Sequence, residues 1–344
     1  MSPQPLQELK VPSTVGKDWS YYVVGKRGTG KSWFMRWFFM QASPELQTRE
    51  TFVFTNTAFN DWYQQWVPRP FVYQGVQEDV LRALLYRQYK RVSRWRRRVR
   101  YNKAKGVPPP EIPEGQHITI GMDDVVDTRV RDTARSVLDT ILLNGRHYWI
   151  SFFLLSQVPV GLSPTQRSNI DMVVLMRQTN AVHIKRLYED FAAGYFPAGI
   201  HGFRIFHRVL DEATRDNGFL SIITRNRLDD GTPIDTVFDA FRTGKASEPP
   251  PEWEGIGSPE QRAIGDEDGE RFIEVMENRY SERQRIEAGG GLPSSEGDDD
   301  DIADVTTALD TMMMDTEEGR EEEEEDDDED AEPPPSIPGM AGAP

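Results

Sequence analysis

The sequence contains no cysteine, which excludes disulfide frameworks, thiolate catalysis and every zinc site that uses a thiolate. Histidine is scarce. The five at positions 117, 147, 183, 201 and 207 show no ligand spacing such as H-E-x-x-H, so a structural metal is not expected. Long apolar runs are also missing. The longest, near Trp149–Leu155, has the length of a strand and is broken by Ser151, well short of the roughly 18 apolar residues that a membrane span needs. The opening residues, MSPQPLQELK, hold no apolar core and do not read as a secretory signal. No internal repeat of solenoid period is visible. A soluble intracellular protein is the expectation.

What the chain does have is charge, unevenly placed. Its 344 residues carry 40 Lys and Arg against 57 Asp and Glu, a formal net charge of −17. Up to Ser247 there are 34 basic and 24 acidic residues, a net +10; beyond it there are 6 and 33, a net −27. A basic body on an acidic tail suggests nucleic acid as a partner of the body. The overall pI of about 4.8 conceals this.

From Ser20 to Arg242 short β-rich runs alternate with helical stretches. The strand candidates are Tyr21–Val24, Thr51–Thr55, Phe71–Gln74, Ile118–Met122, Ile150–Ser156 and Met172–Met176, followed by Phe203–Val209 and Gly218–Thr224. Helices are expected over Lys31–Gln41, Gln77–Lys105, Thr128–Leu143, His183–Ala193 and Ile234–Phe241. Several strands are continuous apolar runs, as in a parallel sheet covered on both faces, so the expected fold is a three-layer α/β domain. The chain divides into an N-terminal arm (1–17), that domain (18–246) with a basic helical insertion at about 77–105, a linker (247–288) and a tail (289–344). In the linker, Ser258–Glu287 reads as a charged amphipathic helix. In the tail, Asp298–Asp301 and Glu321–Asp330 cannot bury enough apolar surface to order, so the tail is expected to be disordered.

The strongest local signal is Gly25-Lys26-Arg27-Gly28-Thr29-Gly30-Lys31-Ser32, which fits the phosphate-loop pattern G-x-x-x-x-G-K-[ST]. Its glycines let backbone N–H groups turn toward a triphosphate, Lys31 reaches the β- and γ-phosphates, and the Ser32 hydroxyl binds Mg²⁺. An apolar strand before it and an amphipathic helix after it put the phosphates at a helix N-terminus. Such a loop needs an acid at the end of another strand. Asp123 after Ile118–Met122 supplies it for the metal's hydration shell, and Asp124 is placed to orient the attacking water, although it is one carbon shorter than Glu. At least one further strand, Thr51–Thr55, and a helix lie between the two motifs, an arrangement of ring-forming motor ATPases rather than of small GTPases. The guanine motif N-K-x-D is absent, so ATP is favoured over GTP.

Three further stretches complete a pattern. They are Asn144-Gly145-Arg146-His147, the strand Ile150–Leu155 ending in Ser156-Gln157, and Pro164-Thr165-Gln166-Arg167-Ser168-Asn169-Ile170-Asp171. Together with the phosphate loop, the doubled Asp and the stretch from Arg186-Leu187-Tyr188 to Tyr195-Phe196-Pro197, they resemble the genome-packaging ATPases of large DNA viruses, of poxvirus and giant-virus type. Those belong to the FtsK–HerA superfamily of DNA-pumping motors. The resemblance spans roughly Tyr21–Arg242. It implies a RecA-like (ASCE) P-loop NTPase fold with ATP and Mg²⁺ as cofactors, and it makes Gln157 the strand-end sensor of the γ-phosphate. It also implies an arginine finger given to a neighbouring subunit, Arg167 with Arg146 as competitor, and therefore a homo-oligomeric ring. The implied locations are the host cytoplasm or viral factory, or the virion.

The Gln77–Lys105 segment concentrates cationic side chains, among them Arg94, Arg96, Arg97, Arg98 and Arg100, while Leu81, Leu85, Val92, Trp95 and Val99 recur at near-heptad spacing. One face packs and the rest is available to phosphates, or to the protein's own tail. Charge alone does not separate DNA from RNA; the resemblance implies double-stranded DNA. The acidic tail is read as solubilising, as a cover for the basic patch, or as a dock for a basic capsid or portal protein. The leading expectation is an ATP-driven double-stranded DNA translocase that packages a viral genome. Alternatives are a cellular or plasmid pump of the same superfamily, a non-catalytic nucleic-acid-binding or virion assembly protein, and a GTPase-type switch that lacks its guanine motif.

Overall fold

The computed structural model describes residues 6–278 apart from 12–17, 113, 126–131, 160–161, 227, 229–230, 232, 235, 265–268, 272 and 275–277. Among the described residues nine strands form one sheet. They are β1 (Gln7–Glu8), β2 (Ser20–Val24), β3 (Glu50–Thr55), β4 (Val72–Gln74), β5 (Ile118–Asp123), β6 (Ile150–Ser156), β7 (Met172–Leu175), β8 (Gly218–Ile223) and β9 (Phe241–Lys245). Their spatial order is β1-β9-β8-β7-β2-β6-β5-β3-β4. Only β8 runs against the rest: it pairs antiparallel with β7 and β9, and the other pairings are parallel. The sheet therefore has a carboxyl edge, where the parallel strands end, and an amino edge opposite.

The central strands β2, β3, β5, β6, β7 and β8 are buried at every residue, as expected of strands covered on both faces. On one face lies the helix Lys31–Gln41, whose Phe34, Phe38 and Phe39 pack on Tyr21, Phe153 and Phe219. Successive residues of β2 point to opposite faces, so Tyr22 meets Phe191 on the other side. There the helices Glu78–Ala104, Asp132–Asn144 and Pro164–Ser168 lie side by side. The architecture is the expected three-layer α/β P-loop NTPase fold.

Three elements differ from expectation. Phe203–Val209 is not a strand but the middle of a helix, Ile200–Ala213. Its buried residues Gly202, Phe206 and Leu210 recur every four positions, and that helical period outweighs the β-branched composition. The expected helix Ile234–Phe241 shrinks to Val237–Ala240, after which Phe241–Lys245 forms β9. The N-terminal arm contributes β1, which adds to β9, with Leu9 and Val11 buried beyond it. The strand expected between the two motifs, Thr51–Thr55, is present in the chain as β3; in the sheet it lies beyond β5, and β6 stands between β2 and β5.

Part of the segment read as linker packs back on the domain. Trp253 lies against Trp66, Ile256 is buried, and the short helix Pro259–Ala263 is capped by Ser258. Gln261 accepts from the Thr51 backbone N–H (2.8 Å) and donates to its carbonyl (3.1 Å). β4 pairs only with Val53–Thr55, so the Gln261 amide stands in for the strand that β4 is too short to provide. Most of the remainder of the expected charged helix, and all of the tail, lie outside the described residues.

The helix Glu78–Ala104 starts beside the carboxyl edge, after β4, and runs back across the sheet. Its buried residues end at Val92. Arg87 and Arg91 there bind Glu50, the first residue of β3, while Gln88 donates to the carbonyls of Gln116 and Tyr148 (both 2.9 Å). These partners mark the amino edge. The helix thus continues beyond the sheet as a basic arm of about 18 Å, at 1.5 Å per residue. Glu50 is buried; its two guanidinium partners overrule burial and hold its carboxyl below the usual range.

Candidate functional site

The loop after β2 turns at the carboxyl edge. Gly28 and Gly30 have φ of 77° and 94°, the left-handed region that glycine enters without strain. A Cβ on Gly25 would stand 2.4 Å from Met176 Cβ at the end of β7, so only glycine fits that close approach. Thr29 closes the turn by donating from its hydroxyl to the Lys26 carbonyl at 2.7 Å. Lys26 and Arg27 are exposed, whereas Lys31, at the start of the helix, is buried. A cavity of about 660 Å³ opens beside the loop, lined by Gly28, Lys31, Ser32, Trp33, Tyr63 and Asp123 among others.

The two motifs separated by 91 residues in sequence meet here. Ser32 Oγ donates to Asp123 Oδ2 at 2.7 Å. The Tyr63 hydroxyl donates to the same oxygen, also at 2.7 Å. Asp123 Oδ1 is buried and has no hydrogen-bond partner among the described residues. Burial lifts the Asp123 carboxyl above its usual range, against the pull of the Ser32 and Tyr63 bonds. A divalent cation beside Ser32 would satisfy the orphaned oxygen, directly or through its hydration shell, and relieve the buried charge, so Ser32 and Asp123 fit Mg²⁺.

Asp124 takes the left-handed conformation, φ 55°, uncommon for a residue with a side chain. Its N–H donates to the Leu155 carbonyl (3.0 Å), and its own carbonyl accepts from Asn56 Nδ2 (2.8 Å). The turn aims its carboxylate back at the loop. Asp124 Oδ2 lies 3.5 Å from Lys31 Nζ and accepts from Gln157 Nε2 at 2.6 Å. Lys31, Asp124 and Gln157 therefore converge, from the loop after β2 and from the ends of β5 and β6.

Tyr63 was not foreseen. It lies in an aromatic stretch after β3 with no periodic pattern, and only the fold brings it to Asp123. A second unforeseen feature is the wall formed by Trp33 and Trp62, with ring centroids 5.4 Å apart. The Arg36 guanidinium carbon sits 5.7, 5.5 and 5.8 Å from the rings of Trp33, Trp62 and Trp253. Burial lowers its pKa, and Glu248, on the cavity rim, opposes that.

The two finger candidates lie elsewhere. Arg146 precedes β6 and Arg167 precedes β7, which puts both at the amino edge. Arg167 Nη1 donates to the Leu162 carbonyl (2.8 Å) and pairs with Asp190 (3.3 Å). Arg146 is exposed and reaches Asn169 Oδ1 at 3.5 Å. Neither faces its own chain's cavity. Arg94, Arg96, Arg97, Arg98 and Arg100 are all exposed on the arm, at the end of the domain opposite the loop. Among the described residues no helix is long and apolar enough to cross a membrane.

No family model matches the chain. It is similar to an uncharacterized protein of Acanthamoeba polyphaga mimivirus, 29% identical over 212 residues, which covers 62% of this chain and 69% of that protein. Among solved structures it resembles the genome packaging NTPase B204 from Sulfolobus turreted icosahedral virus 2 in complex with AMPPCP. That match has a TM-score of 0.39 and 13% identity and covers 67% of this chain and 98% of the other. It also resembles EssC (ATPases 2 and 3) from Geobacillus thermodenitrificans, with a TM-score of 0.42, 12% identity, and coverage of 82% and 53%. By its own loop, sheet order and paired acids, the chain has the fold of a P-loop NTPase.

Proposed function

We propose that this chain is an ATP-hydrolysing motor that translocates double-stranded DNA, and that its task is to package a viral genome. The observation that carries the reading is the convergence of Lys31, Ser32, Asp123, Asp124 and Gln157 on one cavity at the carboxyl edge. Magnesium bound there supplies charge neutralisation for the phosphates. Backbone N–H groups of Gly28–Ser32 and the Lys31 ammonium hold the triphosphate. Lys31 leaves Asp124 for the phosphates, which frees Asp124 to orient the attacking water, while Gln157 fixes its carboxylate. The viral source of the sequence relative agrees with this reading. Packaging further implies a homo-oligomeric ring with Arg167 or Arg146 acting in trans, DNA phosphates held by the basic arms, and capsid or portal proteins as partners.

The test is steady-state hydrolysis of ATP and of GTP, with and without duplex DNA, in the wild type, Lys31→Ala and Arg167→Ala. DNA-stimulated ATP turnover that is lost in both variants and partly recovered on mixing them is the expected result. Turnover retained in Arg167→Ala would remove that finger and leave the ATPase. No hydrolysis of either nucleotide, with salt-sensitive DNA binding intact, would replace the motor with a binding protein.

A further inference from the structure

The chain leaves the described fold beside the basic arm. Gln261 brackets Thr51, the neighbour of Glu50, and Glu50 is where Arg87 and Arg91 bind at the arm's base. Further on, Glu270 accepts from Arg69 Nη1 at 2.6 Å, just ahead of β4. The last described contacts therefore lie at the amino edge on the β3–β4 side, the edge from which the arm projects.

The arm itself lacks an anion. From Arg87 to Lys105 there are ten basic residues and no acidic one. Past Val92, Arg94, Arg96, Arg97, Arg98 and Arg100 are exposed, with no ion pair among the described residues. Arg94 and Arg98, and Arg96 and Arg100, are like charges one helical turn apart, which disfavours the bare helix. The largest block of opposite charge in the sequence is Glu321–Asp330, ten consecutive acids. Glu321 lies 51 residues beyond Glu270, and a flexible chain of that length would span about 40 Å, more than the length of the arm. Tethering at that range corresponds to a local concentration of about millimolar, so pairs that are individually weak suffice.

We propose that the acidic tail of this chain, Glu321–Asp330 above all, docks on the basic arm and competes there with nucleic acid. The docking follows from charge and from the place where the chain emerges; only the competition rests on the proposed DNA reading. The tail then acts as a tethered polyanion that must be displaced before a duplex can lie on the arm.

Because the chain has no native cysteine, dyes can be placed through Tyr101→Cys on the arm and Ala331→Cys in the tail of the full-length protein. Energy transfer is read with unlabelled chain in excess, so that it reports within one molecule. High transfer is expected at low salt, falling when ionic strength is raised to about 0.5 M, where the Debye length shrinks to a few ångströms. The same fall is expected when Arg94, Arg96, Arg97, Arg98 and Arg100 are all changed to Gln. Transfer that is unaffected by those five changes would overturn the docking. Duplex DNA should also abolish the transfer. In addition, changing the acids of Glu321–Asp330 to Gln and Asn should tighten DNA binding by about tenfold, and only while the five arginines are present. Arm-dependent transfer that no DNA displaces would uphold the docking and overturn both the competition and the DNA reading of the arm.

Discussion

Replacing Tyr63 by Phe removes one oxygen and leaves the ring packed against Trp66, 5.3 Å between centroids. The hydroxyl and its acceptor are shielded from water, Tyr63 being 2% and Asp123 8% exposed. Burial, and next the Asp123 charge, lift the phenol well above its ordinary range, so Tyr63 remains a donor wherever the fold survives. A hydrogen bond to a charged group contributes about 1.5–3 kcal/mol. At roughly 2–4 °C per kcal/mol for a domain of this size, the metal-free Tyr63→Phe chain should melt about 3–12 °C lower. Weakened packing would produce the same drop whatever stands at position 123; a missing bond to a carboxylate would not. In an Asp123→Asn background the loss should shrink to about 0.5–1.5 kcal/mol. The magnesium concentration for half-maximal hydrolysis should rise in Tyr63→Phe, while the ATP dependence at saturating magnesium stays nearly unchanged. Equal melting losses in both backgrounds, with an unaltered magnesium dependence, would refute the view that Tyr63 holds Asp123 for the metal.

Asp123→Asn should abolish hydrolysis yet raise the melting temperature of the metal-free chain. Because burial lifts the Asp123 pKa, its favourable contribution is present at low pH and is lost as pH rises through the folded value. The gain measured by thermal melting should therefore be larger at pH 8 than at pH 4. Glu50 has the opposite sign: its pKa is lowered, so its stabilisation is present at neutral pH and fades as pH falls through the folded value. Glu50→Gln removes the buried charge that both Arg87 and Arg91 bind, and a loss of about 3–5 kcal/mol at pH 7 by denaturant titration is expected. Changing Arg94, Arg96, Arg97, Arg98 and Arg100 to Gln should flatten the salt dependence of duplex binding, by up to about 0.9 log unit for each phosphate that is no longer neutralised, with basal ATP hydrolysis unchanged.

The parts of the site that could be read from sequence are those that are contiguous or end on a strand. Gly25–Ser32 is one continuous turn, and Asp123, Asp124 and Gln157 each follow an apolar run whose end fixes the edge on which they appear. What could not be read depends on strand order. The sequence places Thr51–Thr55 between the two motifs, but in the sheet β6 takes that position. Arg146 and Arg167 look like neighbours of the strand-end residues, yet each precedes its strand and so lies at the far edge. In Phe203–Val209, alternation and helical period compete within seven residues, and the burial of Phe206 and Leu210 decides for the helix. Tyr63 and Gln261 carry no periodic signal, because each acts through long-range polar bonds to one residue.

The Gln261 contact also bears on how the chain is made. It joins residues 210 apart in sequence, so during synthesis the N- and C-terminal participants emerge at very different times. Until Gln261 leaves the ribosome, the Thr51 segment of β3 exposes an N–H and a C=O that can pair with a strand from another chain. A nascent or C-terminally nicked chain would thus hold nearly the whole sheet and all of the nucleotide site while remaining open to association along β3. The open edge of β3 is closed, in this sense, by one side-chain amide that emerges only after every strand of the sheet has been made.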